Sequence, residues 1–259
     1  MSNSVTYQSS DHTLLNAIID EAAHPRAAIL FLHGINSEKN EGTLYPELSR
    51  HLTGLGFHTF RFDFRCHGEN PDTGEFMTIQ GETEDFLCSL DYVQKQWQLP
   101  VIVIAASFGN VPLLNSYSPE LWQNIQGLIL LNPVLNLRRT FLETELPWAK
   151  KSFHSAAYEK LQTDGYFLLD NSLKIGPELM QEIETLEQYQ NLSNIQVPIL
   201  MIHGDQDSYV PYEITREYST RPKHCEFLTV PGSDHGFPKA SDRALVFQKI
   251  LSWISQLPF

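Results

Sequence analysis

The chain has 259 residues, 42% hydrophobic and 19% charged, which is long enough to bury a sizeable core in one large domain or two small ones. A formal net charge of -13, with no cluster of Lys or Arg to offset it, excludes a phosphate backbone as an expected partner, so no nucleic acid is predicted. Three cysteines, Cys66, Cys88 and Cys225, lack CxxC spacing and suit neither a disulfide framework nor a zinc site.

The N-terminal "MSNSVTYQSSDHTLLNAIIDEA" has no basic segment leading into an apolar run, so no secretory signal is expected. No apolar run reaches the length of a membrane span, and the predicted localisation is cytoplasmic. The first twenty residues predict one or two antiparallel edge strands. Six apolar runs follow, at residues 27–34, 57–65, 101–107, 127–133, 198–204 and 226–232. Apolar on both faces and bounded by Gly or Pro, they suit central strands of a parallel sheet. Tyr45, Leu48, Leu52 and Leu55 recur at helical spacing, as do Ile79, Phe86, Leu90, Val93 and Trp97, and Phe247, Ile250, Leu251 and Ile254. Strands alternating with amphipathic helices predict an α/β domain with helices on both faces.

Residues 135–197 break this rhythm. They hold aromatic pieces and an acidic helix opened by Gly176-Pro177, and their length exceeds an ordinary crossover. The expectation is a core formed by 1–134 and 198–259, with 135–197 inserted over one end of the sheet. Two ordinary crossover helices and a long loop are the alternative. The aromatic residues of the insert (Trp148, Phe153, Tyr158, Tyr166 and Phe167) read first as its own packing and second as a substrate wall.

"VIVIAASFGN" ends the third of the six runs in Ser107. A serine between a strand and a helix occupies a tight turn that lifts its hydroxyl into the crevice at the carboxyl ends of the strands. Ala105 and Gly109, two before and two after, are the small neighbours such a turn asks for, with Ala where the G-x-S-x-G pattern has its first glycine. A buried structural serine fits the same residues. A hydroxyl needs a base to act as a nucleophile, and His235 in "VPGSDHGF" lies in the loop after the last run. The imidazole needs an acceptor that fixes its tautomer, and the loop in "MIHGDQDSYVP" offers Asp205 and Asp207, between which spacing alone does not choose. Backbone donors for an oxyanion are expected from Phe108 and, after the turn at Gly34, from Ile35. His33 and His203 each precede a glycine at a strand end and read as turn residues.

The pieces "FLHGI", "FDFRCHGEN", "AASFGN", "IHGDQDSYVPY" and "VPGSDHGF" stand in the order found in α/β-hydrolases. Within that superfamily the chain resembles feruloyl and cinnamoyl esterases and monoacylglycerol-lipase-like serine hydrolases. The resemblance implies an α/β-hydrolase fold with a lid in the inserted interval. It implies a Ser107-Asp207-His235 triad, which selects Asp207 over Asp205, with Ile35 and Phe108 as the oxyanion hole and no cofactor or metal. One departure is Cys66, which stands where the family's D-x-R-G-H-G turn has glycine. The expected activity is hydrolysis of a small or medium acyl ester, aromatic acyl groups included. Thioesterase, acyl transferase and serine aminopeptidase chemistry on the same fold, and a non-catalytic binding protein, are the alternatives. No phosphate loop, dinucleotide fingerprint or zinc-ligand spacing competes, and the oligomeric state is not legible.

Overall fold

A computed structural model describes residues 2–70 and 74–258. The N-terminal hairpin pairs β1 (Ser2–Gln8) with β2 (Leu14–Asp20) antiparallel. Then follow β3 (Ala27–Leu32), α1 (Leu44–Gly54), β4 (Phe57–Phe62), α2 (Ile79–Trp97), β5 (Val101–Ala106), α3 (Asn110–Asn115) and β6 (Ile125–Leu131). The C-terminal part resumes with β9 (Ile199–Gly204), α7 (Tyr212–Tyr218), β10 (Cys225–Val230) and α8 (Ala240–Ile254). The strands form one eight-stranded sheet in the order β1-β2-β4-β3-β5-β6-β9-β10, parallel from β4 onward. All six predicted runs are strands of this sheet.

The last of these runs, β10, was expected to be central but is the edge strand and is mostly not buried, whereas the other five are central, as their burial explains. Every residue of β3, β4, β5 and β9 is buried, so both faces needed apolar cover. Leu30, Phe60, Val103, Leu130 and Met201 face one side, where Phe86, Leu90 and Val93 of α2 pack. Ile29, Phe31, Ile102, Ile129 and Ile202 face the other, where α1 supplies Leu48 and Leu52 and α8 supplies Ile250 and Ile254. Each such side chain, fully withdrawn from water, contributes roughly 1.5–3 kcal/mol before the entropy of ordering is subtracted.

Between β6 and β9 lies the insert: a π-helical turn (Arg138–Leu142), α4 (Pro147–Ser152), α5 (Ser155–Thr163), β7 (Phe167–Leu169), β8 (Leu173–Ile175), α6 (Pro177–Thr185) and a 3-10 segment (Gln188–Asn194). Its two short strands pair only with each other and stay outside the main sheet. A third apolar cluster joins Phe141, Phe167, Leu169, Ile175, Leu179 and Ile183 of the insert to Phe108, Val111 and Val134 at the carboxyl edge of the sheet. Among the described residues, no helix is long and apolar enough to cross a membrane.

The topology sets where a ligand can bind. The chain leaves β3 for β4 on one side, then returns over β3 to pair β5 on its other flank. Loops leaving the carboxyl ends of β3 and β5 therefore diverge and open a crevice between them.

Candidate active site

Parallel register carries the four site loops to one edge. Leu32 pairs with Ala105, Ala106 with Leu131, Leu131 with Ile202, and Gly204 with Val230. The residues just beyond these pairs are Gly34-Ile35, Ser107, Asp207 and His235.

Ser107 directly follows β5 at φ +50°, a left-handed backbone that costs a non-glycine residue roughly 1–2 kcal/mol. The elbow is held from three directions. Asn110 Nδ2 donates to the carbonyls of Ser107 (2.9 Å) and Ala105 (3.2 Å), and the Val134 amide donates to the Ser107 carbonyl (3.1 Å). The small neighbours answer to different constraints. A Cβ on Gly109 would sit 2.5 Å from the His33 carbonyl oxygen and 2.8 Å from that of Leu32, so Gly109 lets the new helix press against the end of β3. Ala105 lies in the ladder between Leu32 and Leu130, where a methyl group fits. Gly34 is likewise needed for space more than for a turn, because a Cβ there would lie 3.0 Å from Ser107 Cβ.

His235 Nδ1 and Asp207 Oδ2 are 2.7 Å apart. Asp207 is buried, and its Oδ1 accepts from the amides of Tyr209 and Val210, both at 2.8 Å. Burial alone would raise its pKa, but hydrogen bonds and charge from His203 and His235 hold the carboxyl well below the usual carboxylate range. Burial works against the imidazolium of His235, yet the hydrogen bond and charge of Asp207, followed by Glu41 and Asp234, raise it above the ordinary histidine value. Asp205 has a different partner, accepting from the Gly232 amide at 2.7 Å. Asp234 Oδ1 ties the two loops by accepting from the Ser208 and His235 amides.

The histidines read as turn residues are buried supports. His203 Nε2 lies 3.1 Å from Asp207 Oδ2, and its Nδ1 lies 2.8 Å from Thr215 Oγ1. His33 Nε2 accepts from the Phe64 amide at 3.0 Å, joining the ends of β3 and β4. A histidine-glycine pair at a strand end gives no sign in sequence of the partners that burial will supply.

A cavity of about 270 Å³ is lined by Ser107, His235, Ile35 and Glu41 on the sheet side and by Phe141, Trp148 and Asp170 of the insert. Phe108 is the second residue of the 3-10 turn Ser107–Gly109, where an N–H has no partner within the turn itself. The insert's aromatic residues divide between two duties. Phe153 and Phe167 meet edge to face, with centroids 5.5 Å apart, inside the insert. Trp148 faces the cavity, its Nε1 donating to the Tyr209 carbonyl at 2.8 Å. Cys66, despite the missing glycine, keeps the left-handed turn at φ +62°. The neighbouring Gly68 is indispensable, because a Cβ there would fall within 2.4 Å of the Asp63 carboxylate. That carboxylate pairs with Lys39 Nζ at 2.7 Å and so fixes the loop carrying Ile35. Glu41 went unnoticed in the sequence, since it sits inside no recognised motif, and Asn110, the last residue of "AASFGN", was given no role there.

Comparison with known proteins bears on the fold and the family. The family described as serine aminopeptidase, S33 (Hydrolase_4) matches residues 23–170. The chain is 27% identical over 201 residues to the lysophosphatidylserine lipase ABHD12 of Macaca fascicularis, a stretch covering 76% of this chain and 46% of that protein. The chain thus spans under half the length of this relative. Among solved structures, Est1E from Butyrivibrio proteoclasticus with ferulic acid bound superimposes with a TM-score of 0.81 at 21% identity, over 97% of this chain and 98% of the other. A serine hydrolase homologue from Coxiella burnetii matches with a TM-score of 0.62 at 18% identity, over 96% of each chain.

Proposed function

Because the chain belongs to the serine aminopeptidase S33 family and has the α/β-hydrolase fold, we propose that it hydrolyses carboxylic esters through Ser107, His235 and Asp207. The observation that carries this is the 2.7 Å contact from His235 to the buried Asp207, beside a cavity that Ser107 and Ile35 also line. Ser107 Oγ attacks the ester carbonyl while His235 Nε2 takes its proton. The tetrahedral oxyanion is held by the amides of Ile35 and Phe108, each worth about 10²–10³ in rate. His235 returns the proton to the departing alcohol, leaving an acyl-serine. A water, deprotonated by the same imidazole, then attacks the acyl carbon, and His235 returns the proton to Ser107 Oγ as the acyl–oxygen bond breaks and the acid leaves. Asp207 fixes the tautomer and stabilises the imidazolium.

Residues 135–197 act as a cap in this reading, and the substrate is a neutral ester with a small or medium, aromatic acyl group. Phe141, Trp148 and Tyr209 give the cavity wall its aromatic character. The wall bears the carboxylates of Glu41 and Asp170 and, among the described residues, no Lys or Arg, so it offers no counter-ion to the anionic headgroup of a lysophosphatidylserine. A second reading, aminopeptidase activity, draws on the same Asp170, whose carboxylate suits a free amine.

A fluorophosphonate should label the wild type and spare Ser107→Ala. On a panel, methyl hydroxycinnamates and p-nitrophenyl esters should turn over faster than lysophosphatidylserine or aminoacyl anilides. Equal labelling of Ser107→Ala would overturn the nucleophile, and faster turnover of the anionic lipid or the anilides would overturn the substrate class.

A further inference from the structure

The loop from Gly34 to Gly42 contains a carboxylate that the mechanism above leaves unused. Glu41 Oε2 accepts from the Gly34 amide at 2.7 Å, one peptide before the Ile35 N–H assigned to the oxyanion. The same side chain lines the substrate cavity with Ser107 and His235, and it also lines the small void beneath them formed with Asn132 and Gly236. Its backbone is held at φ +45°, a conformation that persists for a non-glycine residue only where the surroundings impose it. Those surroundings are specific. The Lys39 amide donates to Asp63 (2.7 Å), Arg61 Nε donates to Asn40 Oδ1 (3.1 Å), and the Tyr45 amide donates to the Asn40 carbonyl (3.1 Å).

We propose that Glu41 is a positioning residue for both halves of the site, its carboxylate anchoring the Gly34 peptide so that the Ile35 N–H is aimed at the oxyanion, and its charge acting on His235 as a second carboxylate beside Asp207. This rests on the assignment of Ser107 and His235 as nucleophile and base. The charges around the pair can be named. His235 is faced by Asp207 and Tyr209 from the loop after β9, by Asp234 from its own loop and by Glu41 from the loop before α1. Glu41 is faced by His235, by Glu38, by the hydroxyl of Ser37 and by Tyr45 of α1, and burial, the dominant influence, pushes its carboxyl upward. Among the described residues, the cation that acts on Glu41 is the imidazolium of His235 itself. A partly buried carboxylate lining a cavity without a permanent counter-ion is costly, so its gain comes when the imidazolium forms.

The experiment compares pH profiles of kcat/KM for the wild type, Glu41→Gln, Glu41→Asp and Glu41→Ala on a p-nitrophenyl ester. Gln keeps an oxygen for the Gly34 amide and removes the charge. Its acid limb should move to lower pH by about 0.5–1 unit, with kcat on the plateau within about threefold of wild type. Ala removes both features, so it should show the same displacement and a further loss of about 10–100-fold in kcat with KM little changed. Asp keeps the charge on a shorter arm. Its acid limb should stay near the wild-type position while kcat falls, which tests the charge even if another variant folds poorly. Glu47→Gln, which removes a carboxylate paired with Arg243 away from the cavity, should leave the profile in place. An unmoved acid limb in Glu41→Gln overturns the proposal, as does a downward shift in Glu41→Asp as large as that in Glu41→Gln. Retention of full turnover by Ser107→Ala would instead show that the underlying assignment of nucleophile and base is at fault.

Discussion

Replacing Asp207 by Asn tests the electrostatic centre of the site. The carboxylate accepts hydrogen bonds from the amides of Tyr209 and Val210 at Oδ1 and from His235 Nδ1 at Oδ2, and His203 Nε2 lies 3.1 Å from Oδ2. An asparagine must satisfy the two backbone donors with its single carbonyl oxygen, which turns its NH₂ toward both imidazoles. His235 Nδ1 then becomes an acceptor, the proton moves to Nε2, and the nitrogen needed to receive the Ser107 proton is blocked. Loss of a tautomer-fixing carboxylate lowers kcat by about 10⁴-fold. The change also leaves two imidazoles without an ionic acceptor and costs about 1–3 kcal/mol of stability. Steady-state hydrolysis of a p-nitrophenyl ester gives the first quantity, and urea unfolding gives the second. Asp205→Asn is the comparison, since that side chain touches the Gly232 amide and not the ring of His235. A rate within tenfold of wild type for Asp207→Asn, or a larger loss for Asp205→Asn, would refute the assignment.

Three further outcomes follow from the same geometry. On the proposed mechanism turnover needs neutral His235, and its pKa is raised, so activity should fall as the pH drops through a value on the alkaline side of about 6.5; a midpoint below that value would contradict the Asp207 contact. Gly109→Ala should destabilise the protein by about 1–3 kcal/mol in urea, because its Cβ meets the backbone carbonyl oxygens of Leu32, the last residue of β3, and of His33 just beyond it, which cannot yield cheaply. Trp148→Ala should raise KM about tenfold for hydroxycinnamate esters and far less for acetate esters, since it removes an aromatic wall that a short acyl group does not reach; equal losses on both would move Trp148 out of the acyl site.

Much of this molecule is legible in one dimension. Strands apolar on both faces, separated by amphipathic stretches, can be covered only by a parallel sheet between two helical layers, so "AAILFL" and "VIVIAA" announce their position without any contact being known. Ser107, His235 and the aspartate pair of "IHGDQD" are likewise marked, because each lies just past a strand and parallel strands end on one edge. Burial and pairing are not written there. Asp205 and Asp207 are two residues apart in one loop, and only the packed turn gives the first to Gly232 and the second to His235. His33 and His203 look like turn residues until the fold buries them. Glu41 carries no local signature at all, since its role depends on a peptide seven residues back and an imidazole nearly two hundred residues on. The sequence determined which residues reach the rim of the sheet, because hydrophobic periodicity acts locally. The tertiary structure decided which polar groups pair once they arrive, because hydrogen bonds and charges act at a few ångströms between segments the chain order keeps apart.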